Sequence, residues 1–185
     1  MILAAPLETW LDPSPAAAAQ APRRSHLVLL AFALLSWTLA EVLMAPVLKA
    51  LILWLWVGYA ASFFLFAAWY YRLSRFFASR WERYGAGLSP LAWALAPLHL
   101  AFPTALLAMH AGATGVLVYE VVKAGIILAV IARLGLALRE LNQWPPAAAL
   151  ALVVSPLLVV FVGVVFMAAL GGLGAVVLGL AALAR

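Results

Sequence analysis

Long apolar runs separated by brief polar punctuation dominate this chain. Residues 27–45, 47–71, 90–110, 114–138 and 147–170 each form a stretch long enough to cross a bilayer as a helix. The pattern predicts an all-α, polytopic transmembrane helix bundle of five spans over residues 27–185, preceded by a cytoplasmic lead over residues 1–26. In that lead Ile2, Leu3, Leu7, Trp10 and Leu11 can rest on the membrane interface. Pro46 stops the first span, and Lys49 falls in the tight turn after it. Ser89-Pro90 reads as an N-cap followed by proline in the first turn. Pro97 and Pro103 each remove a backbone donor and predict a kink in the third span, and Pro156 interrupts the fifth. Ala111-Gly112-Ala113 makes a short turn, residues 139–146 form a polar connector, and Gly171-Gly172-Leu173-Gly174 ends the last span. The apolar residues after it are too few to cross alone.

One stretch departs from this alternation. Across residues 72–84, Leu73, Phe76, Phe77, Trp81 and Tyr84 recur along one side of a 3.6-residue helix. Arg72, Arg75, Ser79, Glu82 and Arg83 recur along the other, and Arg80 completes the densest arginine cluster of the chain. This two-sidedness predicts an interfacial amphipathic helix, with Phe76, Phe77 and Trp81 turned toward lipid or a partner and Gly85-Ala86-Gly87 releasing the chain from it. Trp54 and Trp56, then Trp69, Tyr70 and Tyr71, make an aromatic belt at each end of the second span.

Composition supports the membrane assignment. Of 185 residues 69% are hydrophobic and 9% charged, too little polar surface for a soluble globule. The net charge of +5 sits on arginines that border apolar runs, which is topological use of positive charge and not a nucleic-acid patch. Arg23 and Arg24, the four arginines of residues 72–83, and Arg133 with Arg139 fall on one side, against Lys49 and Arg185 on the other. That distribution predicts a multi-pass protein of a bacterial inner membrane with a cytoplasmic N-terminus. The N-terminal residues lack the basic region of a cleavable signal peptide. Arg23-Arg24 before an apolar run suggests a twin-arginine signal, but its flanks fit an ordinary anchor better. Cysteine is absent, which removes disulfides, thiolate metal sites and cysteine nucleophiles. No phosphate loop, nucleophile elbow or metal-ligand cluster appears, so neither enzyme chemistry nor a cofactor is expected.

The candidate chemistry is a set of charges inside spans. Glu120 and Lys123, three apart, share a helix face, and Glu41, Lys49 and His99 complete an intramembrane polar cluster. A lone charge at such depth costs about 2.5–3.5 kcal/mol on insertion scales, so these residues are expected to face inward and pair. Two uses remain open: mutual neutralisation in a bundle, which the sparse polar lining favours, or a pathway for protons or a small solute. His99 and His110 lie on one helix at different depths, and no other span supplies the partner a bis-histidine haem needs. Gly58 with Ser62, Ala111 with Gly115, and Gly125 with Ala129 are spaced for close helix packing.

The order of these features resembles the Yip family of Rab-interacting membrane proteins and its bacterial relatives. The resemblance runs from Leu27 to Gly172. It rests on the tight first hairpin, the polar second connector, and the proline-bearing Leu91-Ala92-Trp93-Ala94-Leu95-Ala96-Pro97-Leu98. It continues through Leu134-Gly135-Leu136-Ala137-Leu138-Arg139-Glu140 into Ala149-Leu150-Ala151-Leu152-Val153-Val154-Ser155-Pro156-Leu157-Leu158. The eukaryotic family's Asp-Leu-Tyr-Gly-Pro motif has no counterpart in the lead. The resemblance implies a five-span, non-catalytic scaffold or accessory subunit that lies among membrane lipids and acts through another integral membrane protein.

Overall fold

A computed structural model describes residues 23–77 and 81–156, together with 158, 159 and 162. The elements among them are helical: α1 (Arg23–Met44), a 3-10 turn (Pro46–Leu51), α2 (Ile52–Phe76), α3 (Tyr84–Ala94), a second 3-10 turn (Ala96–Leu100), α4 (Ala101–Met109), α5 (Gly112–Asn142) and α6 (Pro146–Pro156). Four helical stretches are long and apolar enough to cross a membrane: His26–Met44, Pro46–Phe76, Tyr84–Met109 and Thr114–Asn142. The fifth expected span begins with α6, and most of the rest of it lies outside the described residues. So do most of the lead and the stretch after residue 170. The chain divides into two compact units, Met1–Val153 and Val154–Arg185, and the packing described is that of the first.

The interfacial helix expected over residues 72–84 does not form as such. Arg72 and Arg75 belong to the last turns of α2, which ends at Phe76, and Trp81, Glu82 and Arg83 are not helical. Arg80 lies outside the described residues. The apolar side chains of the stretch serve two different purposes. Phe76 and Phe77 are exposed, whereas Trp81 is buried. Its indole donates to the Arg83 carbonyl at 2.9 Å and meets the Tyr71 ring edge-on at 5.2 Å. Tyr84, whose ring meets Tyr71 at 5.7 Å, donates to the Phe64 carbonyl at 3.2 Å. These aromatic contacts tie α2 to the start of α3, and they outweigh the amphipathic repeat. Gly87 lies inside α3 instead of ending a helix: a Cβ there would sit 2.0 Å from the Trp81 ring, so only glycine admits the indole.

The third span begins at Tyr84, not at Ser89, and Ser89 is no cap. Its hydroxyl is 2.7 Å from Nδ1 of the fully buried His26. The expected break occurs at Pro97, where the α-helix gives way to the 3-10 turn Ala96–Leu100. Pro103 sits in the first turn of α4, where its missing N–H leaves the His99 carbonyl without an i+4 donor. Ser36 of α1 supplies the replacement. Its hydroxyl donates to the His99 carbonyl at 3.0 Å and accepts from the Phe102 N–H at 3.2 Å.

Alanines carry the centre of the bundle. Ala33, Ala40, Ala92, Ala94, Ala105 and Ala137 are fully buried, which lets backbones approach closely where there is no hydrophobic drive between helices. Gly115 makes the tightest of these approaches: a Cβ would stand 1.9 Å from the Ala108 carbonyl oxygen of α4. The α4–α5 turn is closed by Gly112 at φ +59°, a conformation glycine adopts freely. The connector after α5 is shorter than its composition suggests. Residues 139–142 stay helical, Asn142 is buried with Nδ2 donating to the Leu138 carbonyl at 2.8 Å, and Gln143 takes the left-handed cap.

Candidate functional site: an ion pair between helices

Tyr119, Lys123, Ile126, Val130, Arg133 and Ala137 recur at spacings of three and four, so they form one stripe on α5. Tyr119, Ile126 and Ala137 are buried, and the two cations lie between them partly covered. Trp37 and Glu41 of α1 lie beside the first part of the stripe, and Leu29, Leu30, Ala33 and Leu34 share a buried cluster with Leu138 beyond its far end, so α1 runs antiparallel to α5.

Lys123 Nζ lies 2.6 Å from Oε1 of Glu41, each side chain about one-fifth exposed. The ammonium also sits 5.6 Å from the Trp37 ring centroid and 5.8 Å from that of Tyr119. A carboxylate and two aromatic faces thus replace the water a lysine loses at this depth. The Tyr119 ring is buried, its hydroxyl has no hydrogen-bond partner among the described residues, and Tyr59 and Glu41 are among its electrostatic neighbours. Tyr119 also borders a cavity of about 240 Å³ between α4 and α5, lined by Thr104, Leu107, Gly115 and Val122 among others. That lining is apolar apart from Tyr119 and Thr104, whose hydroxyl donates to the Leu100 and Ala101 carbonyls one turn earlier.

Only part of the expected polar cluster comes together. Glu120 is exposed and makes no ion pair among the described residues. It lies about 100° round the helix from Tyr119 in the buried stripe, and Lys123, though only about 60° from it, turns its ammonium to Glu41 of α1 instead. Lys49 is exposed in the 3-10 turn. His99 is partly buried and hydrogen-bonds the Leu29 backbone. Leu29 is twelve residues, about 18 Å, along α1 from Glu41, which puts His99 outside the site.

A second cation was missed as an intramembrane residue. The Arg133 guanidinium lies 3.9 Å from the centroid of the fully buried Trp93 ring. At that distance the guanidinium gains a cation–π attraction from the indole. The signal was present: Arg133 continues the Tyr119–Lys123–Ile126 stripe at an interval of seven from Ile126.

Compared with known proteins, the chain has no significant match to a family model, a curated protein or a solved structure.

Proposed function

We propose that this chain is a non-enzymatic scaffold or accessory subunit of a bacterial inner membrane, N-terminus in the cytoplasm, that acts by lateral contact with other integral membrane proteins. The observation that carries this reading is the fate of the intramembrane charges. Lys123 is neutralised within the bundle by Glu41, and the adjoining cavity is mostly apolar, so among the described residues it offers the pair no continuous polar lining. The second span supports it too. It is the least buried of the four, and its exposed residues include Trp54, Val57, Leu65 and Trp69. The resemblance to Yip-like membrane proteins points the same way.

The experiment is purification in mild detergent at native abundance, with identification of co-purifying membrane proteins. A stoichiometric partner is expected, and a chain recovered alone across several detergents would contradict the proposal. Topology is checked separately: a reporter after Gly85 is expected to read cytoplasmic and one after Gly172 external. Both on one side would contradict five spans.

One observation favours a second reading, a proton or solute pathway: the Tyr119 hydroxyl lies beside the Glu41–Lys123 pair without a partner among the described residues. On that reading a folded Glu41→Gln/Lys123→Met double variant loses a measurable flux. On the scaffold reading it keeps its partner.

A further inference from the structure

Among the described residues, the charges nearest the Lys49 end of the bundle do not all pair. Glu41 and Glu120 face Lys49 and Lys123 in the count, yet only Lys123 and Glu41 meet. Glu120 and Lys49 are left exposed, each without an ion pair among the described residues.

The two leftover charges lie near one level. Glu41 marks the height of Lys123, and α1 and α5 are antiparallel. Three residues toward the Lys49 end therefore bring Met44 and Glu120 to a common height, each about 4.5 Å away. Lys49 follows Met44 in the 3-10 turn Pro46–Leu51, and its long side chain can reach back toward that height.

The helices bearing these charges also present open faces. On α2, Trp54, Gly58, Ala61 and Leu65 share one exposed side, and a Cβ placed on Gly58 would have no neighbour within 4 Å. On α5, Ala124 and Leu128 are exposed below Glu120. α2 and α5 both start at the Lys49 end, so α2 of one molecule can lie parallel to α5 of another about a two-fold axis along the membrane normal. Gly58 and Ala61 then form the shallow groove that close packing in lipid requires.

We propose that the partner for this face is a second copy of the chain, in a two-fold dimer that joins Lys49 of each copy to Glu120 of the other and seats α2 against α5. The acid and the base left over in one copy are complementary to the base and the acid left over in the next, so two symmetry-related contacts satisfy four charges. This rests on the lateral-association reading. It is tested by a different measurement from partner co-purification, so the two can fail separately.

The test uses the full chain, donor- or acceptor-labelled, in phosphatidylethanolamine–phosphatidylglycerol vesicles, with energy transfer followed as the chain is diluted in lipid. Native chains are expected to show transfer that falls on dilution. Lys49→Glu alone and Glu120→Lys alone are each expected to weaken association about tenfold or more, because each places like charges opposite one another twice. When donor-labelled Lys49→Glu is mixed with acceptor-labelled Glu120→Lys, both contacts become attractive and transfer returns. An intrachain Lys49–Glu120 pair cannot produce that recovery. Glu120→Gln guards against a folding failure of the lysine variant: it is expected to stay folded and to associate more weakly. Native chains that show no transfer at the highest density, single variants that associate as native, or a mixture that does not recover would each overturn the dimer.

Discussion

The two ends of this bundle handle polarity in different ways. Toward the arginine-rich end, polar groups settle into neutral or aromatic surroundings: His26 meets the Ser89 hydroxyl, Tyr70 donates to the Val153 carbonyl at 3.3 Å, and Arg133 lies on the Trp93 ring. Large side chains fill that half, with Trp93, Leu91, Leu138 and Trp81 all buried. Toward the Lys49 end the close packing is by alanine and glycine around Tyr119 and Ile126, and among the described residues the Lys123–Glu41 ion pair carries the charge. The first arrangement spreads stability over many contacts. The second concentrates it in one charge contact and one close backbone approach, leaving Glu120 and Lys49 for the outside. The lesson is that sign balance in a membrane segment does not say which charges pair: helix rotation does.

The contrast can be sharpened by substitution, with stability measured as resistance of the detergent-solubilised protein to denaturant. Trp93→Ala empties the largest fully buried side chain and removes the surface beneath Arg133, so the expected loss is about 3–5 kcal/mol. Ser36→Ala lies between the two ends and leaves the His99 carbonyl and the Phe102 N–H without their bridge. It is expected to cost about 2–4 kcal/mol, since each unsatisfied buried group costs about 1–3 kcal/mol. A native-like Ser36→Ala would show that the break at Pro97 and Pro103 satisfies itself. At the Lys49 end, Gly115→Ala forces a Cβ into the Ala108 carbonyl and is expected to cost about 1–3 kcal/mol. Gly58→Ala meets nothing within the chain and is expected to leave fold stability unchanged or raise it by up to about 1 kcal/mol. Equal losses at the two glycines would remove the distinction between inner and outer small-residue faces.

Much of the fold was legible in the sequence because apolar length and proline position are one-dimensional signals. Four spans and the break at Pro97 followed from them directly. The 72–84 segment misled because its repeat fits an amphipathic helix, while the buried place of Trp81 depends on Gly87 six residues away. The Ser89 cap failed for a related reason, since the serine's partner is His26, 63 residues earlier. At the candidate site, sequence named Glu41 and Lys123 but favoured Glu120 as the partner, because spacing along one helix is visible and the rotation of that helix against α1 is not. Ser36 could have been found by asking which donor replaces the N–H that Pro103 lacks. Arg133 could have been found by extending the stripe one more heptad.

The most direct test is a charge exchange at position 123 with each candidate acid in turn, read as the yield of folded protein in the membrane. Lys123→Glu alone and Glu41→Lys alone are each expected to lower it severely, because each buries like charges in contact. The Glu41→Lys/Lys123→Glu double variant is expected to recover most of the native yield, and Glu120→Lys/Lys123→Glu to recover none. Recovery by the second exchange and not the first would contradict the pairing of Lys123 with Glu41 across the bundle.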